Sequence, residues 1–406
     1  MFDCDWRSPA VFQKKPTLCV MKYTRKRRYI KRRRIARKKR ESHNCLHRRC
    51  CYHRDQDEMD SVINDMANMR IGLETEPDLV DFSCCRFEID IPVIFHLIDP
   101  VLKSKSNIEW AKHIEDKIIP VLNTDFNKNR ENFSSTMKNQ INSICSKADP
   151  IKKKYFENLP DILPHNTHVT WRYKLDRVII NPKTNVSISD MSNESIYKMV
   201  PAIDPESNLN IIVASSKNVL GISVFPFVDR DPNDSSKIDD QFKYRNSVLM
   251  ATSVFIGNRP PYNLFRTFTH EIGHWCGLLH PFDNFTSKTM DIIRYGLNSL
   301  EISSDSPIID SDSTGDLISD TAPQEKPTFG QVRDMIKPID KQKIKHYGTH
   351  AWIFEDNERY SNFFNFMDYT DDIQLLMFTN VQMIRMVYYI KRFRPNFIKI
   401  IKLDEE

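Results

Sequence analysis

The feature that most constrains this 406-residue chain is the segment HEIGHWCGLLH at positions 270–280. His270 and His274 are four residues apart, so on a helix both imidazoles lie on one face, one turn apart. Gly277 can end that helix with a positive φ, which lets the chain turn and bring His280 back to the other two. Three imidazoles arranged in this way suit a tetrahedral zinc ion and leave its fourth position open for water. The spacing therefore predicts one catalytic zinc ion.

Glu271 follows the first of these histidines and is rotated by about 100° around the helix axis. Its carboxylate can lean toward a zinc-bound water without ligating the metal. Zinc lowers the pKa of such a water towards about 7, and the carboxylate then accepts its proton as the water attacks a peptide carbonyl. The segment predicts a zinc-dependent endopeptidase with Glu271 as general base. The alternative is a surface helix with coincidental histidines, which requires the glycine and the third histidine to match their offsets by chance.

Charge is distributed unevenly along the chain. Residues 1–55 hold 19 Lys/Arg and 4 Asp/Glu, or +15, and because the whole chain carries +5, the remainder carries −10. Repulsion between the dense positive charges at 22–40 predicts a disordered tail. That tail is interpreted as a nuclear-localisation signal, as an arm for nucleic acid or an anionic surface, or as a solvated segment without a partner. The alternative function is therefore a nucleic-acid or anionic-surface binding protein, with the rest of the chain as scaffold.

The remaining chain alternates strand and helix signals. Apolar residues at helical spacing predict helices at 108–126, about 264–276 and 379–392. Runs rich in β-branched and aromatic residues predict strands at 87–98, 169–180, 209–214 and 247–256. This order favours an α+β architecture with helices on one face of a mixed sheet. The predicted division is a basic tail at 1–55, a linker or short prosegment at 56–85, a catalytic domain at 86–395 and a C-terminal tail at 396–406.

Composition also bears on location. No apolar run precedes the basic block, so we predict no secretory signal peptide. No apolar stretch approaches the roughly 20 residues that span a membrane, and the nine cysteines show no disulfide-type spacing. We expect reduced thiols and an intracellular compartment, nuclear or cytoplasmic.

Several further segments extend the pattern around the histidines. They are IPVIFH (91–96), LNTDF (122–126), LNIIVA (209–214), LGISVFPF (220–227), RTFTHEIGHWCGLLHPF (266–282), GDLISDTAPQ (315–324), NFMDYTDD (365–372) and MFTNVQMIRM (377–386). With them the chain resembles the metzincins, whose long HExxHxxGxxH motif is followed by a Met-turn, and within these the pappalysin group with its ulilysin-like and cytophagalysin-like members. The resemblance implies a metzincin fold. A mixed twisted sheet and the active-site helix form an upper subdomain (86–280), and an irregular and helical lower subdomain (281–395) closes below the zinc cleft.

The same resemblance implies roles for residues beyond the histidines. Met367 is the Met-turn methionine below the zinc, and Tyr369 stabilises the oxyanion of the reaction. Asp316, Asp320 and Thr321 match an oxygen-rich loop that holds calcium in relatives, although solvated loop acids are the alternative interpretation. The expected partner is a protein or peptide substrate.

Overall fold

A mixed β-sheet forms the centre of the computed structural model. The structure describes residues 85–129, 139, 163–164, 168–183, 185–191, 193–224, 230–231, 234–238, 246–283, 316, 318, 320–321, 327–330 and 364–403. The basic tail at 1–55, including 22–40, and nearly all of the predicted linker at 56–85 lie outside the described residues. The same holds for much of the predicted lower subdomain.

Six strands make up this sheet and two more form a separate pair. Their bounds are β1 Cys85–Leu97, β2 Val169–Ile180, β3 Leu209–Ala214, β4 Gly221–Ile222, β5 Arg230–Asp231, β6 Asp234–Ile238, β7 Ser247–Ala251 and β8 Ile398–Lys402. The order is β2-β1-β3-β7-β4, with β1, β2, β3 and β7 parallel and β4 antiparallel to β7. β8 pairs antiparallel with the first half of β1, and β5 pairs only with β6. The predicted α+β class with a mixed sheet is confirmed.

Six α-helices lie in the described part of the chain. They are α1 Asn107–His113, α2 Ile119–Phe126, α3 Asn193–Met199, α4 Thr252–Ile256, α5 Arg266–Trp275 and α6 Asn380–Phe393. α1 and α2 are joined by a π-helical turn, Ile114–Ile118, just before Pro120, which has no N–H to donate to a regular helix. Capping boxes start α1 at Ser106 and α6 at Thr379, each with a reciprocal bond to the residue three positions later.

Two apolar clusters cover opposite faces of the sheet. Alternate residues of β1 point into the larger cluster, with α1, α2, α4, α5 and α6: Phe87, Ile89, Ile91, Val93, Phe95 and Leu97. Ile212 of β3 and Leu249 of β7 point into the smaller cluster, where they meet Ile196 and Tyr197 of α3. The expectation of helices on one face is therefore incomplete, because α3 covers the other.

Two segments differ from their predicted state. Residues 252–256 were expected to continue a strand but form α4, because the chain leaves the sheet at Ala251 and Gly257 ends the helix with φ +78°. Part of the predicted tail at 396–406 is the sheet strand β8, whose few residues gave too short a pattern to recognise. None of the described helices combines the length and apolar composition that crossing a membrane requires.

Candidate metal centre

Three imidazoles converge at one point beside the sheet. His270 and His274 come from α5, and all three histidines are almost fully buried. The Nε2 atoms lie 3.2 Å apart between His270 and His274, 3.0 Å between His274 and His280, and 3.3 Å between His270 and His280. Three nitrogens on a tetrahedral zinc ion, each bonded at 2.0–2.1 Å, are about 3.3–3.4 Å apart. The donor set therefore fits a zinc ion with little adjustment.

Hydrogen bonds at the other ring nitrogens fix how these imidazoles face the centre. Nδ1 of His270 donates to the carbonyl of Phe366 at 2.7 Å, and Nδ1 of His274 donates to the carbonyl of Leu278 at 2.7 Å. A carbonyl only accepts, so in each neutral ring the proton is on Nδ1 and the Nε2 lone pair points inward. Nδ1 of His280 lies 3.4 Å from the carboxylate of Asp283. Lone pairs aimed at one point repel one another unless a cation lies between them, so this arrangement favours a metal ion.

The ends of α5 determine where its histidines lie. At its start, the carboxylate of Asp372, from beyond the Met-turn, accepts the backbone N–H of Leu264 at 2.8 Å. At its end, Gly277 has φ +94° as expected, and the N–H of Leu278 donates back to the carbonyl of Gly273 at 3.0 Å. This tight ending returns the chain and delivers His280 to the other imidazoles.

Glu271 is wholly buried on the same helix, against strand β4. A Cβ built on Gly221 would lie 2.6 Å from Cγ, 2.9 Å from Cδ and 2.7 Å from Oε1 of this glutamate. Only glycine permits so close an approach of backbone to the carboxylate. The edge strand therefore forms one wall of the space that Glu271 occupies.

The turn at residues 364–370, which contains the predicted Met-turn methionine Met367, packs against α5. The sulfur of Met367 would be 2.6 Å from a Cβ placed on Gly273, so its side chain packs directly under the helix. The side chain of Asn365 holds this turn by accepting the N–H of Met367 at 2.9 Å. The hydroxyl of Tyr369 lies 3.3 Å from Nε2 of His280. The structure thus places Tyr369 beside His270 and His280, and Met367 against α5 at Gly273.

Two aromatic rings that the sequence did not single out complete this side. Phe282 stacks on the ring of His280, with centroids 4.7 Å apart and planes 14° apart. Phe329 lies 5.9 Å from the ring of Tyr369 and is 39% exposed. Both rings contact Tyr369. Phe282 ends the segment 266–282, but neither residue was predicted to have a role, and only the tertiary structure shows where the rings lie.

Two of the predicted calcium ligands, Asp316 and Asp320, accept hydrogen bonds at the start of α6. The carboxylate of Asp320 accepts the Thr379 hydroxyl at 2.7 Å and the Val381 N–H at 2.9 Å, which stabilises the start of that helix. Asp316 accepts the side-chain amide of Gln382 at 3.3 Å, and burial raises the pKa of Asp316 to about 7. Thr321 is buried nearby in sequence. Within the described residues, His270, His274 and His280 are the one group of three His, Cys, Asp or Glu side chains close enough together to hold a metal. The calcium site stays a prediction.

Comparison with known proteins finds several relatives that are named as metalloproteases. No family model matches the chain. It is 26% identical to extracellular metalloprotease 1 of Coccidioides posadasii over 235 aligned residues. That alignment covers 58% of this chain and 66% of the relative. It is 33% identical to an extracellular metalloprotease of Colletotrichum graminicola over 79 aligned residues. That alignment covers 20% of this chain and 26% of the relative. The chain thus matches two thirds or less of the length of these relatives.

Among solved structures, promirolysin of Tannerella forsythia aligns with 86% of this chain and 97% of its own, at 18% identity and a TM-score of 0.49. The resemblance drawn from the motifs agrees with the metalloproteases found among the sequence relatives. Over the parts that align, the chain is therefore similar to proteins named as metalloproteases.

Proposed function

We propose that the chain is a zinc-dependent endopeptidase in which His270, His274 and His280 hold the metal. The observation that carries the proposal is the convergence of three Nε2 atoms within 3.0–3.3 Å of one another. Two of these rings are held in the ligating tautomer by backbone carbonyls. When bound there, zinc supplies a Lewis acid for the substrate carbonyl and lowers the pKa of a coordinated water.

The remaining chemistry belongs to side chains of the protein. The carboxylate of Glu271 accepts a proton from the attacking water and later delivers it to the leaving amine. Complete burial beside Gly221 restricts the positions of that carboxylate, which keeps the base oriented. The hydroxyl of Tyr369, on the His280 side, donates to the peptide oxygen as negative charge develops on it. Met367 provides an apolar floor below α5.

The substrate proposed is a protein or peptide. The support for this class is the similarity to proteins named extracellular metalloproteases. It is also supported by the site itself, where the buried Glu271 follows His270 on the same helix.

The test combines metal content with cleavage of a mixed peptide library by the purified full-length chain. We expect the wild type to bind about one zinc ion and to cleave peptides at internal bonds. Glu271→Ala should keep the zinc and lose at least about 10²-fold in activity, the smallest usual contribution of a general base. His274→Ala serves as the metal control and should lose zinc and activity together. A zinc-loaded wild type that cleaves nothing would overturn the proposal.

A further inference from the structure

A buried charge cluster packs against α5 close to His270. It comprises Asp125 at the end of α2, Lys128 just after it, and Arg266 in the first turn of α5. Asp125 is fully buried and the side chain of Lys128 is only 6% exposed. Nζ of Lys128 donates to Oδ1 of Asp125 at 2.9 Å, and Arg266 pairs with Oδ2. One carboxylate therefore serves two cations in a region that largely excludes water.

The same carboxylate contacts the residue before the first histidine. The hydroxyl of Thr269 donates to Oδ2 of Asp125 at 2.7 Å, and both groups are fully buried. Thr269 and Arg266 lie on one helix, so Asp125 holds α5 at two points within a single turn. The position of the His270 backbone is thereby tied to α2.

Both cations of the cluster also face the ring of Phe366. Nζ of Lys128 lies 4.9 Å from the ring centroid and the guanidinium carbon of Arg266 lies 5.6 Å from it, within the range of cation–π attraction. The carbonyl of Phe366 is the acceptor for Nδ1–H of His270 at 2.7 Å. Asp125 thus reaches His270 along two routes, through α5 and through Phe366.

Charge balance makes Asp125 the essential member. Without it, Lys128 and Arg266 would face each other unpaired in a buried region, which is costly, so at least one of them would leave its place. Burial already lowers the pKa of Lys128, and the charge of Asp125 opposes that effect. Displacing Lys128 or Arg266 would remove a cation–π contact with Phe366, and displacing Arg266 would also remove the ion pair at the first turn of α5.

We infer that Asp125 is a positioning residue for His270, setting the aim of its Nε2 through α5 and through the carbonyl of Phe366. This inference rests on the proposed function, because it takes His270 to be a zinc ligand. A purely structural brace would lower stability and leave metal affinity unchanged. Changing the partner that orients a ligating histidine typically costs 10–100-fold in metal affinity. Because Asp125 acts one contact further away, a loss of roughly 10-fold is expected.

The experiment measures zinc affinity of the full-length protein by competition with a chromophoric chelator, and the absorption spectrum of the Co²⁺ form, at a temperature well below unfolding. Asp125→Asn should bind zinc about 10-fold more weakly and show a shifted Co²⁺ spectrum. Asp99→Asn is the matched control, since Asp99 is another buried acid that accepts a threonine hydroxyl, from Thr252 at 2.7 Å, away from the histidines. The control should lose stability but keep zinc affinity and spectrum.

Two results would overturn the inference. If Asp125→Asn binds zinc as tightly as the wild type with the same Co²⁺ spectrum, only the positioning role falls. If the wild type itself binds no zinc, the proposed function falls and the inference with it. Should Asp125→Asn fail to fold, Thr269→Val removes just one donor to that carboxylate with little change of shape. That variant should bind zinc several-fold more weakly, and unchanged binding would equally refute the idea.

Discussion

Replacing Gly221 with alanine should separate metal binding from catalysis. The new methyl would lie 2.6 Å from Cγ and 2.7 Å from Oε1 of Glu271, whereas ordinary contacts begin near 3.4 Å. Relief therefore requires a shift of about 0.8 Å, the difference between these carbon separations. Glu271 is completely buried, so its carboxylate has no solvent to retreat into, and β4 is paired along β7. Either the glutamate or the strand beside it must move.

The size of the effect follows from that displacement. A misplacement of about 1 Å in a catalytic group can cost on the order of 10²-fold in rate. We therefore expect kcat/KM to fall about 100-fold in Gly221→Ala, equivalent to about 2.7 kcal/mol in activation free energy. Zinc affinity should change little, because the contacts that orient His270 and His274 are made with Phe366 and Leu278, not with β4.

The assay is kcat/KM on a fluorogenic peptide chosen from library cleavage, together with zinc content. If the alanine acts through the glutamate, Gly221→Ala combined with Glu271→Ala should be no slower than Glu271→Ala alone. Ile222→Val is the control for disturbing β4, since Ile222 lies on the same strand but is buried in the smaller apolar cluster on the opposite face of the sheet. Full activity in Gly221→Ala, or losses that add in the double variant, would refute the reasoning.

Two further predictions concern other buried groups. Tyr369→Phe should lower kcat by about 10²–10³-fold with zinc content unchanged, because it removes one donor to the developing oxyanion, and activity within a few-fold of wild type would contradict this. Burial lowers the pKa of His96 below its ordinary value of 6.5, so the unfolded chain binds more protons below that pH and the stability due to neutral His96 is lost as pH falls. His96→Gln should therefore show a flatter decline of unfolding free energy below pH 6.5 in urea titrations, and an identical slope would argue against it.

Much of the fold follows from local pattern. The runs at 169–180 and 209–214 match β2 and β3 to the residue. The alternating run suits β2, an edge strand with one buried face, and the continuous apolar run suits β3, which is buried on both faces. The strand predicted at 247–256 is confirmed for 247–251 but wrong for 252–256, which form α4. Val254 and Phe255 would serve a strand or a buried helix equally well, and apolar content alone does not separate the two. Contact with the packed core selects the helix there.

The site divides in the same way between local and distant information. The histidines and Glu271 lie within one short segment. Their spacing therefore predicts their relative positions without knowledge of the fold. Asp125 contacts Thr269 across 144 residues, and Gly221 meets Glu271 through a strand pairing. No spacing in a single sequence encodes such contacts, because they arise only when the sheet and helices have packed.

The geometry of the three histidines depends on residues far from the segment 270–280. The ligand atoms come from one helix and the turn after it, but the acceptor for His270 comes from Phe366, and the start of α5 is fixed by Asp372. Both lie about a hundred residues further along the chain, and Asp125 lies far before it. A metal site of this kind is therefore complete only when both flanking regions have docked on α5. Metal affinity accordingly measures the packing of the whole site, whereas the motif by itself supplies only the atoms that ligate.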